Sequence, residues 1–133
     1  NIRAVASGEC AISMVNTYYL ARMIADGDLK LGSVGILFPN QASTGTHVNI
    51  SGAGVLKHSP NRENAIKFIE YLTENTAQFY FIEGNHEYPV VSDAKMSGVL
   101  TDLGKFKEDT LNASVLGENQ AKAVKAFDRA GWH

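Results

Sequence analysis

The sequence predicts an α/β fold, and three observations carry that expectation. Short apolar runs alternate with segments whose apolar residues recur at helical spacing, which is the pattern of strands feeding helices. The first such run, Ala11, Ile12, Met14 and Val15, passes straight into a helical pattern through Asn16-Thr17. The apolar runs are nevertheless too few for a complete doubly wound sheet, so the chain reads as part of something larger.

In chain order, Asn1 to Ala6 followed by Ser7-Gly8 reads as the tail of a helix ending at a glycine C-cap. There is no initiator Met, which suggests a processed or truncated product. Residues 10 to 15 are expected as a buried strand that encloses Cys10. Asn16 and Thr17 favour a helix N-cap because their side-chain oxygens accept from free amides. Beyond them Leu20, Met23 and Ile24 define a helix with Tyr18 and Tyr19 in its first turn. Asp26-Gly27-Asp28 supplies a turn. Val34 to Phe38 reads as a second strand, closed by Pro39-Asn40, and residues 41 to 45 as a loop. From Thr46 to Leu56 β-branched residues surround Ser51-Gly52-Ala53-Gly54, an extended stretch suited to a crossing between two lobes. A helix then spans about 61 to 73, with Ala65, Ile66, Ile69 and Leu72 on one face. Another covers about 77 to 82 and stops at Gly84. Tyr88 to Val91 is expected as an edge segment because of Pro89. Residues 93 to 114 are weakly patterned and expected to be irregular. A last helix runs from about Leu116 to Ala130, before Gly131.

At 133 residues the chain can bury a real core. Its composition, 44% hydrophobic and 20% charged, is that of a globular protein and not of a disordered one. A net charge of −2 offers no basic stripe for nucleic acid, and no apolar run is long enough to insert in a membrane as a helix. A single cysteine rules out an internal disulfide and a Cys-rich metal site. The histidines, His47, His58, His86 and His133, have no zinc-motif spacing, and His47 and His86 read as structural or solvated. Ser51-Gly52-Ala53-Gly54 lacks the lysine of a phosphate loop and is not a serine-nucleophile elbow. Asn49-Ile50-Ser51 and Asn112-Ala113-Ser114 match glycosylation acceptors, a triplet that also arises by chance.

The chemistry on offer is Tyr18-Tyr19. Adjacent helical residues point about 100° apart, so two phenols converge on one atom only at a helix end. The pair has two readings: a core aromatic beside a half-exposed neighbour, or a hard-cation site. A phenolate is a hard anionic donor suited to Fe(III), and binding must displace a proton whose pKa is about 10. Asn16, Thr17 and the free amides of the first turn could hold an anion beside the metal.

The segment Val15-Asn16-Thr17-Tyr18-Tyr19 resembles the periplasmic ferric-iron-binding proteins of bacterial ABC uptake systems, which resemble the transferrins in using tyrosinate ligands. The likeness continues through Ser51 to Lys57, Asn64 to Leu72, Glu87 to Val90 and Ala126 to Trp132, and so spans essentially the whole chain. It implies a two-lobed α/β fold, periplasmic binding protein-like (type II), of which this is the carboxyl-terminal portion. Tyr18 and Tyr19 are then implied as metal ligands and Asn16 as anion-binding, with a synergistic anion such as carbonate or phosphate. Further ligands from the amino-terminal lobe (a tyrosine, or histidine and glutamate, depending on subgroup) lie outside the match. The implied function is ferric iron capture and delivery to an ABC permease, in the periplasm, with a signal peptide expected upstream and no enzymatic activity. In lobe terms, residues 1–47 and 100–133 are expected in the carboxyl-terminal lobe and 48–99 in the crossing strands and helices of the other. The alternatives are a solute-binding protein that stacks a polyamine or sugar on the tyrosines, and a thiol enzyme using Cys10 as nucleophile.

Overall fold

The computed structural model describes residues 1–132; His133 lies outside the described residues. Six α-helices follow in order: α1 (Ile2–Ala6), α2 (Thr17–Ala25), α3 (Arg62–Leu72), α4 (Asn75–Tyr80), α5 (Gly98–Leu103) and α6 (Ala113–Ala130). A π-helical turn, Phe81–Asn85, extends α4. Contacts divide the chain into two compact units, Asn1–Leu37 with Asn49–Lys105, and Phe38–Val48 with the residues from Phe106 onward.

The first unit is built on a small apolar core of Ile2, Leu20, Ala21, Ile82, Leu100 and Leu103, flanked by Met23, Ile24, Leu29, Val34, Tyr88, Ala94 and Val99. Leu20 and Ala21 put α2 against α5, whose Leu100 is the most deeply buried large side chain described. The sequence left α5 as irregular chain. The cause is its length of one and a half turns, too short for a periodic signal, although Val99, Leu100 and Leu103 do share a face. Tyr88 is half-buried, and its hydroxyl donates to the Gly104 carbonyl at 2.9 Å. Burial pushes its pKa above the ordinary phenol value. Gln78, buried after the end of α3, donates to the Leu72 carbonyl at 2.7 Å and accepts from the Val90 amide at 2.9 Å, which ties α4 to the chain on both sides. Ile82 and Tyr88 join the core of Leu20, and residues 38–48 group with α6.

In the second unit a side-chain amide replaces a missing strand partner. Gln41 accepts from the Lys107 amide at 2.7 Å and donates to the Lys107 carbonyl at 3.0 Å, as a neighbouring peptide group would. The same nitrogen reaches Thr46 Oγ1 at 2.9 Å. Next to it the Thr46 amide donates to the Lys107 carbonyl and the Asp109 amide donates to the Thr46 carbonyl, each at 2.8 Å, forming a parallel bridge between Thr46 and Glu108. Phe38 and Phe106 stack beside it with ring centroids 4.4 Å apart. α6 is capped by Asn112, whose Oδ1 accepts from the Ser114 amide, and closes at Gly131 with φ 65°. Leu116, Val124 and Phe127 stand exposed along it.

The strands expected at 10–15, 34–38, 46–56 and 88–91 are the main departure. Among the described residues that parallel bridge is the only pairing, and apart from Thr46 these segments are unpaired. Strand structure requires a neighbour for its backbone groups, and apolar composition alone does not supply one. Ile12, Met14 and Leu37 are accordingly exposed, and Cys10 is exposed rather than enclosed in a strand.

Gly45 is buried with φ 99°, and a Cβ there would drive into the Glu108 carbonyl and lie 2.9 Å from the Asp109 amide. Gly45→Ala is therefore expected to lower unfolding free energy by about 1–3 kcal/mol. Gly117→Ala, inside α6 with open space around it, should raise it by roughly 0.5–1 kcal/mol. Denaturant titration of the two variants in the full-length protein checks the opposite signs. Leu100→Ala should cost about 2–5 kcal/mol in the same measurement, because it empties the contact that seats α2.

Candidate functional site: a phenol pair at the start of α2

α2 begins where the extended backbone of Asn16 (φ −71°, ψ 145°) turns into the helix, and its first bond runs from the Tyr19 amide to the Asn16 carbonyl at 3.2 Å. It ends at Asp26, after which Gly27 turns the chain with φ 78°. Because Leu20 and Ala21 face the core, the two preceding residues are left at the rim. Tyr18 is half-buried and Tyr19 is exposed. The helix end is the one place where neighbouring side chains can converge, and here they do. The rings lie 4.3 Å apart between centroids, tilted by 43°, and each hydroxyl shifts the pKa of the other.

Asn16 is the N-cap by position, yet its side chain makes no hydrogen bond to the first-turn amides. It turns instead to the site, where Nδ2 donates to Tyr18 Oη at 3.2 Å. The neighbouring Tyr19 hydroxyl first, and then the Asn16 amide, hold the Tyr18 pKa below the ordinary phenol value. Partial burial and the charge of Glu87 act in the opposite direction, while Arg22 assists the lowering. Tyr19 is raised, first by the Tyr18 hydroxyl, then by the Tyr18 charge and burial. The pair is therefore unequal: one phenol is prepared to become an anion and the other to donate to it.

All three residues expected at the site, Asn16, Tyr18 and Tyr19, come together. Cys10 does not join them in any contact seen here; its amide donates to the Ala4 carbonyl at 3.1 Å. No cluster of three or more His, Cys, Asp or Glu side chains capable of holding a metal occurs among the described residues. Arg22 and Glu87 are the charges that sequence reasoning missed. Arg22 lies one helical turn past Tyr18, an i, i+4 relation readable in the sequence, whereas Glu87 acts across a gap of 69 positions that no local pattern spans.

The chain matches the family model of the bacterial extracellular solute-binding proteins over residues 2–79. It is 43% identical over 135 residues to iron uptake protein A1 of Synechocystis sp., covering 98% of this chain and 38% of that protein. With the major ferric iron-binding protein of Neisseria meningitidis it shares 25% identity over 130 residues, 98% of this chain and 39% of the relative. Among solved structures it superposes on the Trichodesmium protein IdiA (FutA) in complex with iron and citrate, with a TM-score of 0.92 and 49% identity over 99% of this chain and 43% of that one. The open form of Mannheimia haemolytica ferric iron-binding protein A gives a TM-score of 0.88 at 38% identity, over 98% of this chain and 42% of that one. The chain thus spans about two fifths of the length of these relatives. On the family match and the structural likeness together, the chain belongs to the bacterial extracellular solute-binding proteins, and its fold is part of the α/β, periplasmic binding protein-like (type II) class.

Proposed function

We propose that the complete protein captures ferric iron, with Tyr18 and Tyr19 as phenolate ligands, and delivers it to an ABC permease from the periplasm. The observation that carries this reading is the meeting of the two phenol rings at the start of α2, with the Asn16 amide donating to the Tyr18 oxygen. Paired hard oxygen donors favour Fe(III) over softer ions, and no thiolate shares the site to reverse that preference. The names of the relatives, iron uptake and ferric iron-binding proteins, agree with it. A synergistic anion sits beside Asn16 in this reading, since the amide keeps one N–H free and the helix start favours negative charge. Carbonate and phosphate fit those donors, and so does citrate, the ligand that accompanies iron in the Trichodesmium complex. The remaining ligands come from the part of the protein beyond this chain. The role is capture and release, with no catalysed reaction.

The pair is tested by replacing both phenols with Phe, which keeps the rings and removes the donor oxygens. Wild-type full-length protein should develop a visible phenolate-to-iron charge-transfer band on adding Fe(III). Tyr18→Phe and Tyr19→Phe should each weaken the band, and the double variant should abolish it with little loss of fold by circular dichroism. An unchanged spectrum in the double variant would overturn the assignment.

The pH dependence follows from the proton that each ligand must lose. Iron affinity should fall as pH falls, because protons compete with the metal for the phenolates. In the iron-free protein, ultraviolet titration of phenolate absorbance should find Tyr18 ionising below about 10 and Tyr19 above it. Tyr19→Phe removes the hydroxyl that chiefly lowers Tyr18, so the Tyr18 step should move upward.

A further inference from the structure

Asn16 occupies the position where asparagine is among the best helix caps, yet its side chain leaves the first-turn amides of α2 without a bond from it. That choice has a physical cost, since the helix start forgoes a stabilising cap. What the side chain does instead is donate Nδ2–H to Tyr18 Oη at 3.2 Å. The bond spans only two residues across the helix start, so the backbone turn at Asn16 itself sets the direction of the donor. Tyr19, whose ring lies against that of Tyr18, is exposed.

We infer that Asn16 is a positioning residue for iron capture: its amide fixes the Tyr18 oxygen at the start of α2 and donates a charge-assisted hydrogen bond to it as the phenolate forms. This rests on the proposed ligand role of Tyr18 and adds to it a role for Asn16 on the ligand, distinct from contact with the anion. A donor on the outer side of a ligating atom orients that atom and tunes its basicity, and loss of such a partner typically weakens metal affinity by about 10–100-fold. Charge assistance makes the bond stronger with the phenolate than with the phenol. The bond also draws electron density from the phenolate oxygen and lowers its filled orbital, which raises the energy of charge transfer to iron.

The test uses Asn16→Leu, close in shape but without a donor, in the full-length protein. Since Asn16 forms no cap bond, thermal unfolding of the iron-free variant should match wild type. With Fe(III) added, the charge-transfer band should persist and move to longer wavelength. Iron affinity, read by competition with a chelator at saturating anion, should fall by about 10–100-fold. Asn16→His, which offers a ring N–H, should restore part of the band position. An unmoved band would overturn the inference. So would an affinity loss that disappears at saturating anion with the band in place, because that result assigns Asn16 to the anion alone. Failure of the underlying reading looks different: wild-type protein would then show no band at all.

Discussion

The burial of Leu20 and Ala21 against α5 is the constraint on which the site depends. A helix presents each residue about 100° from the last, so fixing two consecutive positions in the core fixes the azimuth of every other. Tyr18 and Tyr19 directly precede that pair, and seating α2 through Leu20 leaves them at the rim with no freedom to rotate away. Leu20 contributes roughly 1.5–3 kcal/mol by leaving water. The direction in which the phenols leave the helix is thus set by apolar packing one residue away. The phenol bodies themselves are left partly in solvent, where a small charged guest can reach them.

Local electrostatics then separates two chemically identical side chains. Tyr18 is lowered by the Tyr19 hydroxyl and the Asn16 amide together with the help of Arg22, while burial and Glu87 act against it. Tyr19, more exposed, is shifted the other way, above the ordinary phenol value, chiefly by Tyr18. The favourable contributions are short-range bonds whose strength rises when the acceptor is charged, whereas Glu87 acts only through its field. The exposed pairing of Arg3 with Asp28 at 2.6 Å illustrates the other extreme: both ends are hydrated, and a bridge of that kind adds little.

The parts of the molecule legible in the sequence are those determined by nearby residues. The break at Asn16, the helix that follows, the placement of both tyrosines in its first turn and the long helix before Gly131 all follow from spacing within a dozen positions. What was not legible depends on distant partners. The run from Ala11 to Val15 has strand composition, but composition cannot tell whether a second strand lies alongside, and here Ile12 and Met14 face solvent. Cys10 was misplaced for the same reason. α5 fell below the length at which periodicity speaks, though Ser97 before it and Gly104 after it mark its ends. That Asn16 would prefer a phenol to the amides it normally caps was equally hidden, because both partners are local and only geometry decides between them.

The bonds from Gln41 to Lys107 have a kinetic consequence. They join residues 66 positions apart, and most of the intervening chain, Asn49–Lys105, belongs to the other compact unit. Closing a flexible loop of that length carries an entropy cost that grows with the logarithm of its length. The cost falls when the loop has already collapsed and its ends have been drawn together. Folding of residues 49–105 therefore favours the pairing of Gln41 and Thr46 with Lys107 and Asp109, while early formation of that pairing would have to close the loop unaided. On entropic grounds the pairing is therefore cheapest to make once the chain between its two ends has collapsed.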